Sequence, residues 1–181
     1  EVELRVMLLG VERLVARCAE SRGERTDDSG GVLTAVLPMS PNHGMFGGDG
    51  AYGHAKAGLE VLATRRAAEA RRWGDRCRTI GVEIGWVRGT GLMGGHDALA
   101  PLVEDRLGIS TLDAVDVGRR IAELCAPNGD RGPGDARVDL TGGLDAVDRS
   151  ALAELVRGTA GSESNVTHDD VMAQPQAVAL R

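Results

Sequence analysis

The feature that most restricts the fold of this 181-residue chain is a repeated switch of hydrophobic period. Segments with apolar residues at helical spacing alternate with short apolar, partly β-branched runs. The first two of those runs end in glycine-rich loops. Short runs bounded by Gly and Pro have the pattern of strands buried in a parallel sheet, and the segments between them have that of crossover helices. Such an alternation predicts an α/β architecture with helices on both faces of the sheet. Its chemistry belongs at the carboxyl ends of the strands.

Residues 2–20 place Leu4, Leu8, Val11, Val15 and Cys18 on one helical face with charges opposite. Residues 21–31 are polar and end in a Ser-Gly-Gly loop signal. Val32 to Leu37 predicts the first strand, and residues 38–50 form a loop dense in Gly, Pro, Asn and Asp. A helix follows from Ala51 to Arg72, with Tyr52, Ala55, Leu59, Leu62 and Ala63 on one face and Gly74 as its stop. Arg78 to Trp86 predicts a second strand, interrupted at Gly81, and Val87 to Gly95 a second glycine-rich loop. Two shorter helices are expected at 98–107 and 111–126, the latter capped at Thr111. After a turn-rich break at 128–135, Arg137 to Leu140 predicts a third strand ending in Thr141-Gly-Gly, and residues 148–156 a last helix. From Arg157 the composition turns polar and small, as in a tail or linker. The predicted order is α-β-α-β-α-α-β-α.

Composition excludes several function classes. A formal net charge of −6 leaves no basic footprint for nucleic acid. Arg65, Arg66, Arg71 and Arg72 alternate with Glu60 and Glu69 and read as a solvated helix face. Three widely spaced cysteines, without CxxC or a histidine cluster, argue against metal and disulfides and for reduced, buried thiols in a cytoplasmic protein. No run of 18 apolar residues spans a membrane. Aromatics are only 2%, so Ala, Val, Leu and Ile must build the core. The chain opens without a methionine, inside a helical pattern, which predicts a piece of a longer polypeptide.

Tyr52 and Lys56 stand four apart at the start of the long helix and so project from one face. A phenol with a pKa of about 10 is a poor proton donor and a worse base at neutral pH. A neighbouring ammonium and a helix N-terminus both favour the phenolate that proton donation leaves behind. Ser40, at the end of the preceding strand, lies where the loop can fold its hydroxyl back beside the phenol. By itself Tyr-x-x-x-Lys is more often a surface contact than a catalytic pair. Strand, serine, glycine-rich loop and Tyr-x-x-x-Lys opening a helix form a far more specific order, which resembles the Ser-Tyr-Lys constellation of the short-chain dehydrogenases/reductases.

The run from Val36 to Lys56, VLPMSPNHGMFGGDGAYGHAK, is similar to the active-site segment of the ketoacyl reductase domain of type I fatty acid synthases. Ile84 to Met93 (IGWVRGTGLM) and Asp139 to Gly143 (DLTGG) resemble that domain's next two signatures. The resemblance covers residues 2–156 and is closer to the bacterial, mycobacterial-like form than to the fungal one. It implies the carboxyl-terminal half of a Rossmann-like, doubly wound domain. It also implies NADPH-dependent reduction of a 3-oxoacyl thioester carried on acyl carrier protein, in a cytoplasmic, oligomeric, multifunctional enzyme. Carried over residue by residue, Tyr52 donates the proton, Ser40 hydrogen-bonds the carbonyl oxygen, and Lys56 tunes Tyr52 and contacts the nicotinamide ribose. Gly85, Trp86, Val87, Arg88 and Thr90 line the cofactor.

The sequence departs from the family in two places. No glycine-rich phosphate loop follows an opening strand, and the first four strands of the complete domain have no counterpart, so a sheet edge is expected to lie uncovered. Where many reductases carry a catalytic Asn on the helix before the serine strand, this chain has Met7. Among the remaining polar residues, His43 is expected to bond loop backbone, His54 to face solvent and Asp49 to cap the long helix. Arg88 is open to either a phosphate or a structural ion pair. The rival reading is a non-catalytic structural piece of the synthase.

Overall fold

The computed structural model of the chain describes residues 2–23, 32–44, 50–73, 76–90, 97–126, 136–148, 150–152 and 154–155. A π-wound stretch, Leu4–Gly10, runs into helix α1 (Val11–Gly23). Then come β1 (Leu33–Met39), α2 (Tyr52–Ala68), the short α3 (Ala70–Trp73) and β2 (Cys77–Ile84). After these follow β3 (Val87–Arg88), α4 (Ala100–Leu107), β4 (Leu112–Asp113), α5 (Ala114–Cys125) and β5 (Ala136–Leu140). The main sheet has the order β1-β2-β5, with both pairings parallel. The α/β class and the parallel sheet are as the alternating periods predict. The tail expected after Arg157 lies outside the described residues.

Strand parity separates two packed layers. On one face Val15 and Ala19 of α1 bury Cys77, with Leu33 and Ala35 beside them. On the same face Leu59 and Leu62 of α2 pack on Met39. The opposite face gathers Ile80, Val82 and Leu124, so α5 covers it. A fourth cluster forms at the carboxyl end of the sheet, where Trp86 packs with Val103, Ile109, Leu144 and Leu152.

Several expectations need correction. Gly81 does not interrupt the second strand: a Cβ there would lie 2.4 Å from the Met39 Cε, so its missing side chain houses Met39 within an unbroken strand. That strand ends at Ile84, not Trp86: Gly85 still donates its N–H to the Leu140 carbonyl, but the Trp86 carbonyl turns to Leu112 and its ring into the apolar cluster. The cap of α5 is Asp113, whose Oδ1 accepts the Val115 N–H at 2.8 Å. Thr111 instead gives its N–H and hydroxyl to Glu104 of α4. The long helix breaks at Glu69, before the short α3. Arg66 is buried and Arg65 pairs with Glu12 of α1, so the arginine cluster is partly an interhelix seam rather than a solvated face. Of the cysteines only Cys77 is buried, and Cys125 is exposed at the end of α5.

The β3–β4 pair was not legible in the sequence, since two residues per strand carry no period. It joins the loop after β2 to the start of α5. At the same edge Gly142, at φ +63°, sits so close to Ser110 that a Cβ would lie 2.0 Å from its carbonyl oxygen. Gly118 on α5 has open space around its Cβ position. Gly142→Ala is therefore expected to lower unfolding stability by about 2–4 kcal/mol, and Gly118→Ala to raise it by roughly 0.5–1 kcal/mol, in urea denaturation. Equal effects at the two positions would contradict the interlock described.

Candidate active site

The carboxyl end of β1 is built around Lys56. Leu33 donates its N–H to the Arg76 carbonyl on the β2 side. Backbone groups alternate along a strand, so those of Thr34, Val36 and Pro38 point to the outer edge. The proline has no N–H to offer there, and its carbonyl accepts the Lys56 Nζ at 2.6 Å. Lys56 is only 8% exposed. Its ammonium also lies 5.3 Å from the centroid of the Tyr52 ring, one turn earlier on α2. Burial holds the Lys56 pKa below its ordinary value.

Ser40 follows β1 directly and is buried. Its Oγ accepts the Asn42 N–H at 3.2 Å, which leaves the serine proton available for donation. Asn42 Oδ1 accepts the Gly44 N–H at 3.1 Å, and His43 N–H donates to the Pro41 carbonyl at 3.1 Å. These overlapping turns rest on the first turn of α2. A Cβ on Gly53 would come within 2.5 Å of the Gly44 nitrogen, so glycine next to Tyr52 is what admits the loop. The His43 side chain does not bond loop backbone as expected: its Nε2 stands 3.4 Å from Glu60 Oε1. His54 is exposed, and Asp49 lies outside the described residues. The N-cap position of α2 is Ala51, which has no side-chain cap.

The second loop, after β2, lies at the same edge of the sheet. Gly85 N–H donates to the Leu140 carbonyl at 2.9 Å. The Trp86 ring is turned into the apolar cluster, 5% exposed, and among the described residues its Nε1 has no hydrogen-bond partner. Trp86 thus meets this edge through its backbone, whose carbonyl accepts the Leu112 N–H at 2.8 Å. The Thr90 hydroxyl closes the turn onto the Val87 carbonyl at 3.3 Å, and Gly89 N–H donates to Asp97 Oδ2 at 3.0 Å. Arg88, Gly89 and Thr90 are exposed.

Two carboxylates brace this edge. The Thr111 hydroxyl, then its N–H, hold Glu104 below the usual carboxylate range, with a smaller contribution from the Arg88 charge. The N–H of Thr141, which donates to Asp139 Oδ1 at 2.7 Å, does the same for Asp139. These braces, the Pro38 carbonyl and Gly53 escaped the reading of the sequence. One available signal was rarity, because Tyr52 and Lys56 are the chain's only tyrosine and only lysine. A depression of about 210 Å³ between α2 and the sheet, lined by Met39, Glu60, Gly81 and Arg137, includes none of Ser40, Tyr52 and Lys56. Among the described residues no helix is long and apolar enough to cross a membrane, and no cluster of three His, Cys, Asp or Glu side chains could hold a metal.

As the sole lysine, Lys56 can be titrated by NMR without ambiguity. Its midpoint is expected below 10.5 in the folded chain, and at 10.5 in urea. The sign for stability follows from linkage. The burial penalty is fully present below the folded pKa and is relieved as pH rises from there through the unfolded value. A folded midpoint at or above the unfolded one would show that the ammonium is not desolvated.

No protein-family model matches the chain. It is 36% identical over 173 residues to a fatty acid synthase alpha subunit of Dothistroma septosporum, a match that covers 93% of this chain and 10% of that protein. It is 40% identical over 161 residues to a fatty acid synthase subunit alpha of Gibberella zeae, covering 84% of this chain and again 10% of that protein. The chain thus spans about a tenth of the length of these relatives. Both are fungal, whereas the motifs suggested a nearer resemblance to the bacterial form. Among solved structures, a short-chain dehydrogenase/reductase from Burkholderia xenovorans superposes with a TM-score of 0.51 at 18% identity, over 78% of this chain and 53% of that one. A 3-hydroxyacyl-CoA dehydrogenase type-2 from Mycobacterium avium does so at 0.50 and 24%, over 76% and 53%. The chain is a homologue of one segment of the fungal fatty acid synthase subunits, and it has part of the fold of the short-chain dehydrogenases/reductases.

Proposed function

We propose that this segment is the catalytic half of a ketoacyl reductase, reducing a 3-oxoacyl thioester on acyl carrier protein to the 3-hydroxy thioester with NADPH. The observation that carries the reading is the position of the Lys56 ammonium, between the carbonyl at the end of the Ser40 strand and the face of Tyr52. Homology to synthase subunits supports the substrate class.

The residues present fit the nicotinamide end of such a cofactor. An ammonium has three N–H donors, and one of those on Lys56 goes to Pro38, which leaves others for the ribose hydroxyls. Among the described residues no atom lies within 4 Å of the Gly89 Cβ position, so the exposed stretch from Arg88 to Thr90 can admit a group beside its backbone. Gly85, Trp86 and Val87 complete that lining, Trp86 through its backbone. Bound NADPH supplies the hydride for the β-carbon.

The chain's own residues handle the oxygen. Ser40, already oriented by the Asn42 N–H, donates its proton in a hydrogen bond to the carbonyl oxygen and holds it in line. Tyr52 transfers its hydroxyl proton to that oxygen as negative charge develops there. Lys56 stabilises the resulting phenolate through space. The acyl carrier protein and the other synthase domains are the partners this reading requires, in an oligomeric cytoplasmic enzyme.

A structural, non-catalytic role is the alternative. It is favoured by one observation, that among the described residues β1 has a strand partner on one side only. The two are separated by NADPH oxidation with a short 3-oxoacyl thioester. The chain is assayed alone and joined to the sequence that completes the reductase fold in its synthase relatives. Turnover is expected in the joined protein, falling about 10²–10⁴-fold in Tyr52→Phe. A joined protein that binds NADPH but shows no Tyr52-dependent turnover would establish the structural role.

A further inference from the structure

Next to Ser40, a chain of polar side chains runs across three elements of the fold. His43 Nε2 is 3.4 Å from Glu60 Oε1, on α2 two turns beyond Tyr52. The same oxygen accepts from Arg137 of β5 at 2.7 Å, and Arg137 Nε lies 3.8 Å from Glu83 of β2. Strand register explains the grouping: Arg137 pairs with Gly81, Glu83 pairs with Asp139, and these positions share the sheet face that α2 covers. Arg137 and Glu60 both line the depression between α2 and the sheet, and the Arg137 side chain reaches Glu60 there.

We infer that His43 is a positioning residue for Ser40, held by a Glu60 carboxylate that Arg137 orients. This rests on the reading that Ser40 binds the substrate carbonyl. His43 is three residues beyond Ser40, in the turn whose amide at Asn42 orients the Ser40 hydroxyl. The contact of that turn with Gly53 is van der Waals and has no direction. The His43–Glu60 contact supplies direction, tying the loop to a helix that β5 and β2 hold in turn. Its Nε2 is engaged by Glu60. The His43 and Glu60 side chains are 32% and 28% exposed, so their contact adds little to stability, whereas a catalytic group misplaced by about 1 Å can lose two orders of magnitude in rate. The effect of His43 therefore falls on turnover.

The test uses the joined, active protein. His43→Ala is expected to lower kcat about tenfold while KM for the thioester moves less than about threefold. His43→Gln, whose amide N–H can still reach Glu60, should recover most of the loss. In a Ser40→Ala background His43→Ala should have no further effect, because its route of action is gone. Urea midpoints measured alongside separate a folding defect from a kinetic one. The same loss in both backgrounds, or unchanged kcat in His43→Ala while Tyr52→Phe abolishes turnover, would overturn the inference and leave the reductase reading standing. Turnover that survives both Tyr52→Phe and Ser40→Ala would remove that reading and the inference with it.

Discussion

The carboxyl edge of this sheet depends on the contact between the Lys56 ammonium and the Pro38 carbonyl. A charge that is 8% exposed is tolerated only where oxygen and aromatic surface replace water. Pro38 supplies the oxygen because it sits at an outward-facing position of β1 with no N–H of its own, and Tyr52 supplies the ring. This one placement fixes the start of α2 against the end of β1. Ser40 and Tyr52 are thereby brought to the same edge, although eleven residues separate them and five of those, 45–49, are not described. The loop that begins at Ser40 then settles on Gly53, the residue after Tyr52 that has no side chain to exclude it.

Much of this was legible in the sequence, for physical reasons that differ from element to element. β1 and β2 announce themselves as short, partly β-branched apolar runs set between loop signals. The helix from Tyr52 is legible because Leu59 and Leu62 must meet Met39 on one face. Errors arose where tertiary contact overrode local pattern. Gly81 looks like a strand breaker until Met39 is seen to fill the space above it. Thr111 looks like a cap until Glu104 takes both of its donors, leaving the cap to Asp113. The Trp86 ring packs into the apolar cluster under the loop, while its backbone stays at the edge to which its motif assigned it.

The two glycine-rich motifs of the carboxyl edge, after β2 and after β5, act on each other. Gly85 lies against the Thr141 carbonyl and Gly142 against the Ser110 carbonyl. Hydrogen bonds from Gly85 to Leu140 and from Ser110 to Gly142 run through the same contacts. The Asp139 to Gly143 motif is accordingly a brace for the loop after β2. Thr141 is central to it: its N–H is held by Asp139, and its hydroxyl donates to Asp145 and accepts from Gly143. A loop whose residues Arg88 to Thr90 are exposed needs such support, since it has few side chains with which to pack.

The outer edge of β1 shows how site and sheet boundary share the same residues. Thr34 and Val36 direct backbone groups outward, where a further parallel strand can pair with them. At Pro38 that pairing must stop, because the nitrogen has no proton and the carbonyl already holds Lys56. A neighbouring strand that ran past this point would have to displace the ammonium from its oxygen. The proline therefore does two things at once. It ends the ladder just before Ser40, and it reserves for Lys56 the one carbonyl on that edge from which the ammonium can also face Tyr52. The sheet must open at the level where the chemistry begins.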